Sequence, residues 1–136
     1  MGRVLVVDED LSKRIQTELN RRGRTAKSIA SLGLKGLKDP DVLQRLHDVH
    51  PDCVLITGDN AMPASHAADL ARFRLTLAIV APYDPGSGLT PNAWEHEIVQ
   101  KWVHRIESQP RGSIRRYTLA GGRAWKPSKR PDPTGF

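Results

Sequence analysis

A three-layer α/β/α fold with a central, mostly parallel sheet is predicted by three observations. Two short apolar runs, Arg3-Val-Leu-Val-Val7 and Cys53-Val-Leu-Ile-Thr57, have the length and β-branched content of buried parallel strands. A third, Leu75-Thr-Leu-Ala-Ile-Val-Ala81, repeats the pattern. Between them lie segments with helical apolar spacing, and β-α-β alternation implies right-handed crossovers with helices on both faces.

Leu11, Ile15 and Leu19 recur at helical spacing, and Gly23 follows as a stop. Thr25 to Ile29 is a weak second strand. Asp39-Pro40 opens a helix with Asp at the N-cap, and Val42, Leu43, Leu46 and Val49 form its apolar face. Ala64 to Phe73 reads as a third helix. Thr90-Pro91 starts a long fourth one, whose stripe of Trp94, Ile98, Trp102 and Ile106 suits a core or a homodimer contact. Ile114 to Leu119, Ala120-Gly121-Gly122 and Arg123 to Trp125 have the pattern of a hairpin, and the proline-containing segment from Lys126 to Phe136 reads as a disordered tail.

At 136 residues the chain is long enough for one sizeable core. No apolar stretch approaches the roughly 20 residues of a membrane span. Met1-Gly-Arg-Val enters a strand directly and leaves no room for a signal peptide, so a cytoplasmic location is expected. Cys53 is the only cysteine, which excludes an intrachain disulfide and a cysteine zinc cage. The net charge of +6 is unevenly placed. Residues 1–109 hold 14 Lys/Arg and 14 Asp/Glu, whereas 110–136 hold seven Lys/Arg and only Asp132. The division is therefore a neutral α/β domain over 1–109 and a basic hairpin and tail over 110–136, suited to an anionic partner.

The chemistry concentrates where the strands end. Asp8 and Asp59 follow two of the apolar runs, so a parallel sheet brings both to its carboxyl edge, where open α/β sheets form their ligand crevice. Asp39 opens a helix at the same edge, with Glu9, Asp10 and Asp84 as further acids. Mg2+ or Mn2+ takes such oxygen ligands and can activate a water against a phosphodiester. Simpler roles stand beside this one: Asp39 and Asp10 as helix caps, Asp84 in Tyr-Asp-Pro-Gly as a turn residue, and His47, His50 and His66 as surface groups. Gly86-Ser-Gly88 lacks the ending of a phosphate loop, and there is no Gly-x-Ser-x-Gly elbow. In the basic segment, Arg115, Arg116, Tyr117, Arg123, Trp125 and Lys126 interleave cations with aromatics, a pattern suited to single-stranded RNA.

Val-Asp8-Glu9-Asp10-Leu-Ser, Gly33-Leu-Lys-Gly36-Leu-Lys-Asp39 and Ile-Thr57-Gly-Asp59-Asn60-Ala-Met62, followed by Trp102-Val-His-Arg-Ile106, resemble in order and spacing the compact PIN-like nucleases, the group containing VapC-type toxins of toxin–antitoxin pairs. The resemblance implies a Mg2+-dependent endoribonuclease toxin. Asp8, Asp39 and Asp59 would be its metal-binding catalytic acids, Glu9 or Asp84 would complete the site, and RNA and a cognate antitoxin would be its partners. The family often carries a second acid after the third motif, where this chain has Asn60 and Ala61. A catalytically weakened binding module is the corresponding alternative.

A second resemblance is to response-regulator receiver domains. It rests on Val-Leu-Val-Val-Asp8-Glu9-Asp10 and on Pro51-Asp-Cys-Val-Leu-Ile with Asp59-Asn-Ala-Met-Pro63, and it implies Asp59 as phosphoacceptor. The sequence departs from that pattern in three places. Thr57-Gly58 intervene before Asp59, Ala81-Pro82-Tyr83 replaces a Ser or Thr, and residues 75–100 contain no lysine.

Overall fold

The computed structural model describes residues 3–120 and the backbone of 122–124. Its elements are β1 (Val4–Val7), α1 (Lys13–Arg21), β2 (Thr25–Ser28), α2 (Asp39–Val49), β3 (Val54–Thr57), α3 (Met62–Ser65), α4 (Ala67–Phe73), β4 (Thr76–Val80), α5 (Pro91–Glu107), β5 (Ile114–Tyr117) and β6 (Gly122–Ala124). They form a three-layer α/β/α fold around one sheet of order β2-β1-β3-β4-β5-β6. The first five strands pair in parallel and β6 joins β5 antiparallel.

Strand alternation divides the core into two layers. Leu5, Val7, Val54, Ile56, Ala78, Val80 and Tyr117 face α1 and α5, where Ile15, Leu19, Ile98 and Ile106 close over them. Val6, Leu55, Leu77 and Ile79 face α2, α3 and α4 through Leu43, Leu46, Met62 and Leu70. All of β3 and β4 is buried, which explains why these strands read as uninterrupted apolar runs. Cys53 lies inside this core, and burial pushes its thiol up to about 11.

Several expectations change. The helix expected over Ala64–Phe73 is two helices, α3 and α4, that meet at His66. Asp39 is not an N-cap: Lys38 holds that position without a side-chain bond, and Asp39 is the first helical residue. Asp10 does not cap α1 either, because Ser12 does so through Arg14 N–H. Asp84 is a turn residue, accepting from Gly86 N at 2.8 Å. The boundary expected at residue 109 falls between α5 and β5, and β5 is the fifth parallel strand of the main sheet.

The amino edge of the sheet is fastened by Arg3. Its guanidinium donates to Asp52 O at 2.7 Å, to Glu107 O at 3.1 Å, to Gln109 O and to Thr76 Oγ1 at 3.1 Å. Buried Gln109 donates in turn to Leu77 O at 3.0 Å and accepts from Tyr117 Oη at 2.8 Å. One side chain just ahead of β1 thus joins the approach to β3, the start of β4 and the end of α5.

Candidate functional site

The carboxyl edge is where β1, having paired β2 on one side, pairs β3 on the other. A parallel sheet diverges there, leaving a crevice. Asp8 continues β1 by donating its N–H to Ile56 O at 2.9 Å. The residue beside it at the end of β3 is Thr57, fully buried, whose hydroxyl donates to Asp8 Oδ2 at 2.8 Å. The other carboxylate oxygen of Asp8 accepts from Glu9 N at 2.8 Å. Thr57 Oγ1 also accepts from Asp59 N at 3.0 Å, so the hydroxyl relays a hydrogen bond from the β3–α3 loop to Asp8.

Asp59 lies two residues beyond the strand and turns back into the loop. Its Oδ1 accepts from Ala61 N at 3.0 Å and its carbonyl accepts from Met62 N, so it braces the turn that leads into α3, whose N-cap is Ala61. Asp10 reaches across to Gly58 N at 3.2 Å. The approach is close at Gly58, where a Cβ would crowd Asp10 Oδ2 at 3.1 Å and Leu11 Cδ2 at 3.2 Å. Asn60 ties the loop to β4, donating to Gly58 O at 3.0 Å and Val80 O at 3.3 Å. Asp39 keeps 45% of its side chain exposed and pairs with His66, Nε2 to Oδ2 3.3 Å.

Desolvation raises the Asp8 carboxyl above its ordinary value against the Thr57 and Glu9 hydrogen bonds, and the charge of Asp39 adds to it. Desolvation likewise pushes Asp10 up to about 6, followed by the charge of Asp8, with Asp59 and Glu95 contributing. Asp8, Asp10, Asp39 and Asp59 therefore share one electrostatic neighbourhood. Among the described residues, however, no group of three or more His, Cys, Asp or Glu is gathered closely enough to hold a metal ion. Glu9 is exposed at the rim, and Asp84 is engaged in its own turn.

This acidity carries a sign for stability. A carboxyl whose folded value lies above its unfolded value of 3.8 opposes folding at neutral pH, and that opposition is relieved as pH falls through about 6. Wild-type protein should gain on the order of 1 kcal/mol between pH 7.5 and 5.5, a value reduced by solvent screening of exposed Asp10. Asp10→Asn keeps an acceptor for Gly58 N–H and should flatten the dependence. Urea unfolding of both proteins at the two pH values measures it.

Of the cationic and aromatic residues expected at RNA, Tyr117 is core: it is 1% exposed and its hydroxyl is held by Gln109. Arg115 lies on the α5 face of β5 and Arg116 on the opposite face, as strand alternation requires. Arg123 falls in β6, and Trp125 and Lys126 lie outside the described residues. Thr57 and Asn60 are the site residues that a search for acids passes over. The signal for Thr57 is a hydroxyl closing an otherwise apolar run opposite an acid.

No family model, curated protein or solved structure matches the chain. Among the described residues no helix is long and apolar enough to cross a membrane.

Proposed function

We propose that the chain is a receiver-like signalling domain that acts by binding a partner protein, without a phosphoacceptor where a receiver carries one. The sheet order β2-β1-β3-β4-β5 supports this reading, because it is the flavodoxin-like doubly wound order that receivers share. So does the acidic run Asp8-Glu9-Asp10 directly after β1. The observation that carries the reading is the Thr57–Asp8 hydrogen bond. It puts a hydroxyl at the strand end, where a receiver's acceptor carboxylate directly follows the apolar run, while Asp59 is turned into its own loop. A receiver's other groups are replaced too: β4 is followed by Ala81 and β5 by Thr118. The edge keeps the acids of a phosphorylation site and lacks the acceptor, so signalling would rest on the folded surface alone.

Incubation with acetyl phosphate and Mg2+, followed by intact-mass measurement, tests this. The wild-type chain should take up no phosphoryl group, and Thr57→Asp, which places a second carboxylate beside Asp8, should bind Mg2+ about tenfold more tightly or better. Stoichiometric phosphorylation lost in Asp59→Asn would overturn the reading and restore Asp59 as acceptor.

The shared electrostatics of Asp8, Asp39, Asp10 and Asp59 favour a second reading, the PIN-like Mg2+-dependent endoribonuclease with RNA and an antitoxin as partners. A divalent cation would relieve that repulsion, and Asp8, Asp39 and Asp59 would supply its oxygens. RNA cleavage abolished by EDTA and by Asp8→Asn would establish this reading in place of the first. Absence of cleavage in Mg2+ and Mn2+ removes it.

A further inference from the structure

At the amino edge of the sheet, opposite the acidic site, the last turn of α5 and the start of β5 enclose a hollow of about 270 Å3 lined by Arg105, Ser108, Gln109, Pro110 and Arg115. The neutral polar groups around it are already engaged. Ser108 Oγ donates to His104 O at 2.8 Å, and the Gln109 amide is held by Leu77 and Tyr117. The carbonyls at the end of α5, which would otherwise repel an anion, are covered in part by Ser108 and Arg3.

The two arginines are not engaged in this way. Among the described residues, arginine–carboxylate ion pairs form at Arg21, Arg24 and Arg111, and neither Arg105 nor Arg115 has one. Arg115 Nε is buried and has no hydrogen-bond partner. A buried guanidinium N–H without an acceptor is costly unless a ligand completes it. Arg105 rests on the face of Trp102, 5.3 Å from the ring centroid, which fixes its position through its plane and not through its N–H edge. Both guanidiniums lie close enough to Tyr117 to favour its phenolate against burial, so both charges converge on one small region.

We propose that this hollow binds a dianionic phosphate group, either free phosphate or the phosphate of a small monoester, held between Arg105 and Arg115. Guanidinium forks match phosphate oxygens in pairs, and two uncompensated charges favour a dianion over a carboxylate. The volume is below the roughly 300 Å3 at which sites for larger organic ligands begin, so a monoester would place its organic part outside. The proposal is independent of the receiver-like reading, whose residues lie at the other edge.

The test uses the full chain labelled with 15N at constant ionic strength, titrated with inorganic phosphate, with adenosine monophosphate, and with acetate and chloride as controls. The Arg115 Nε–Hε and Trp102 indole signals should shift saturably at millimolar phosphate. Arg115→Gln and Arg105→Gln should each weaken binding by about tenfold or more. Saturation by both phosphate and the monoester supports a shared phosphate site, and saturation by phosphate alone assigns it to the free ion. Saturation by the monoester alone, lost in Arg105→Gln, assigns the site to the phosphate of an ester, whereas monoester binding that both arginine variants leave intact would show recognition of the nucleoside and overturn the proposal. A response shared with acetate or chloride, or unchanged affinity in Arg105→Gln, an exposed position that does not threaten folding, overturns it as well.

Discussion

Arg3→Ala is expected to be among the most destabilising single substitutions in the chain, by about 3 kcal/mol, or roughly 10 °C in Tm. The side chain serves Asp52 O, Glu107 O, Gln109 O and Thr76 Oγ1 at once. Its loss leaves carbonyls from separate elements to find water at a partly enclosed edge, and hydrogen bonds from a charged donor are the stronger kind. Arg3→Lys should recover less than half of the loss, because one ammonium cannot span acceptors arranged around a planar fork. Urea denaturation of the three proteins at one pH measures the ranking. Equal stability of Arg3→Ala and wild type would show that water replaces the clamp without cost.

The second large effect is expected at Gln109, which is 2% exposed. Gln109→Leu fills the same space but strands the Tyr117 hydroxyl and removes the side-chain donor to the Leu77 carbonyl, and should cost about 2–4 kcal/mol. Tyr117→Phe should cost less, about 1–2 kcal/mol, since only Gln109 Oε1 loses its donor. The two act on one hydrogen bond, so the double variant should be more stable than the summed losses imply, by on the order of 1 kcal/mol. Strict additivity in chemical denaturation would mean that the two side chains do not depend on each other.

The parts of the fold legible in sequence are those whose signal is local. β1, β3 and β4 are buried on both faces, so their apolar runs are continuous, and α5 announces itself with Thr90-Pro91 and a regular stripe. What escaped depends on partners far along the chain. Asp10 suits a helix cap by its position, but its carboxylate is drawn to Gly58 N, 48 residues away, and Ser12 caps instead. Tyr117 sits among arginines in sequence and so resembles a surface aromatic. In the sheet it shares a face with Arg115 but lies one step deeper, under α5. At the candidate site the acids were visible as residue types, whereas the geometry that turns Asp59 away and brings Thr57 to Asp8 arises from the β3–α3 loop.

The integration of β5 into the main sheet bears on how the chain behaves while it is being made. β4 has both faces buried and no charged residue between Thr76 and Val80. Until residues 114–117 emerge to pair with it, one whole edge of that strand offers free N–H and C=O groups flanked by valine, isoleucine and leucine side chains. Such an edge is a template for strand addition between chains. Fragments ending near Gln109 should therefore aggregate during expression, with the unpaired β4 edge as their adhesive surface.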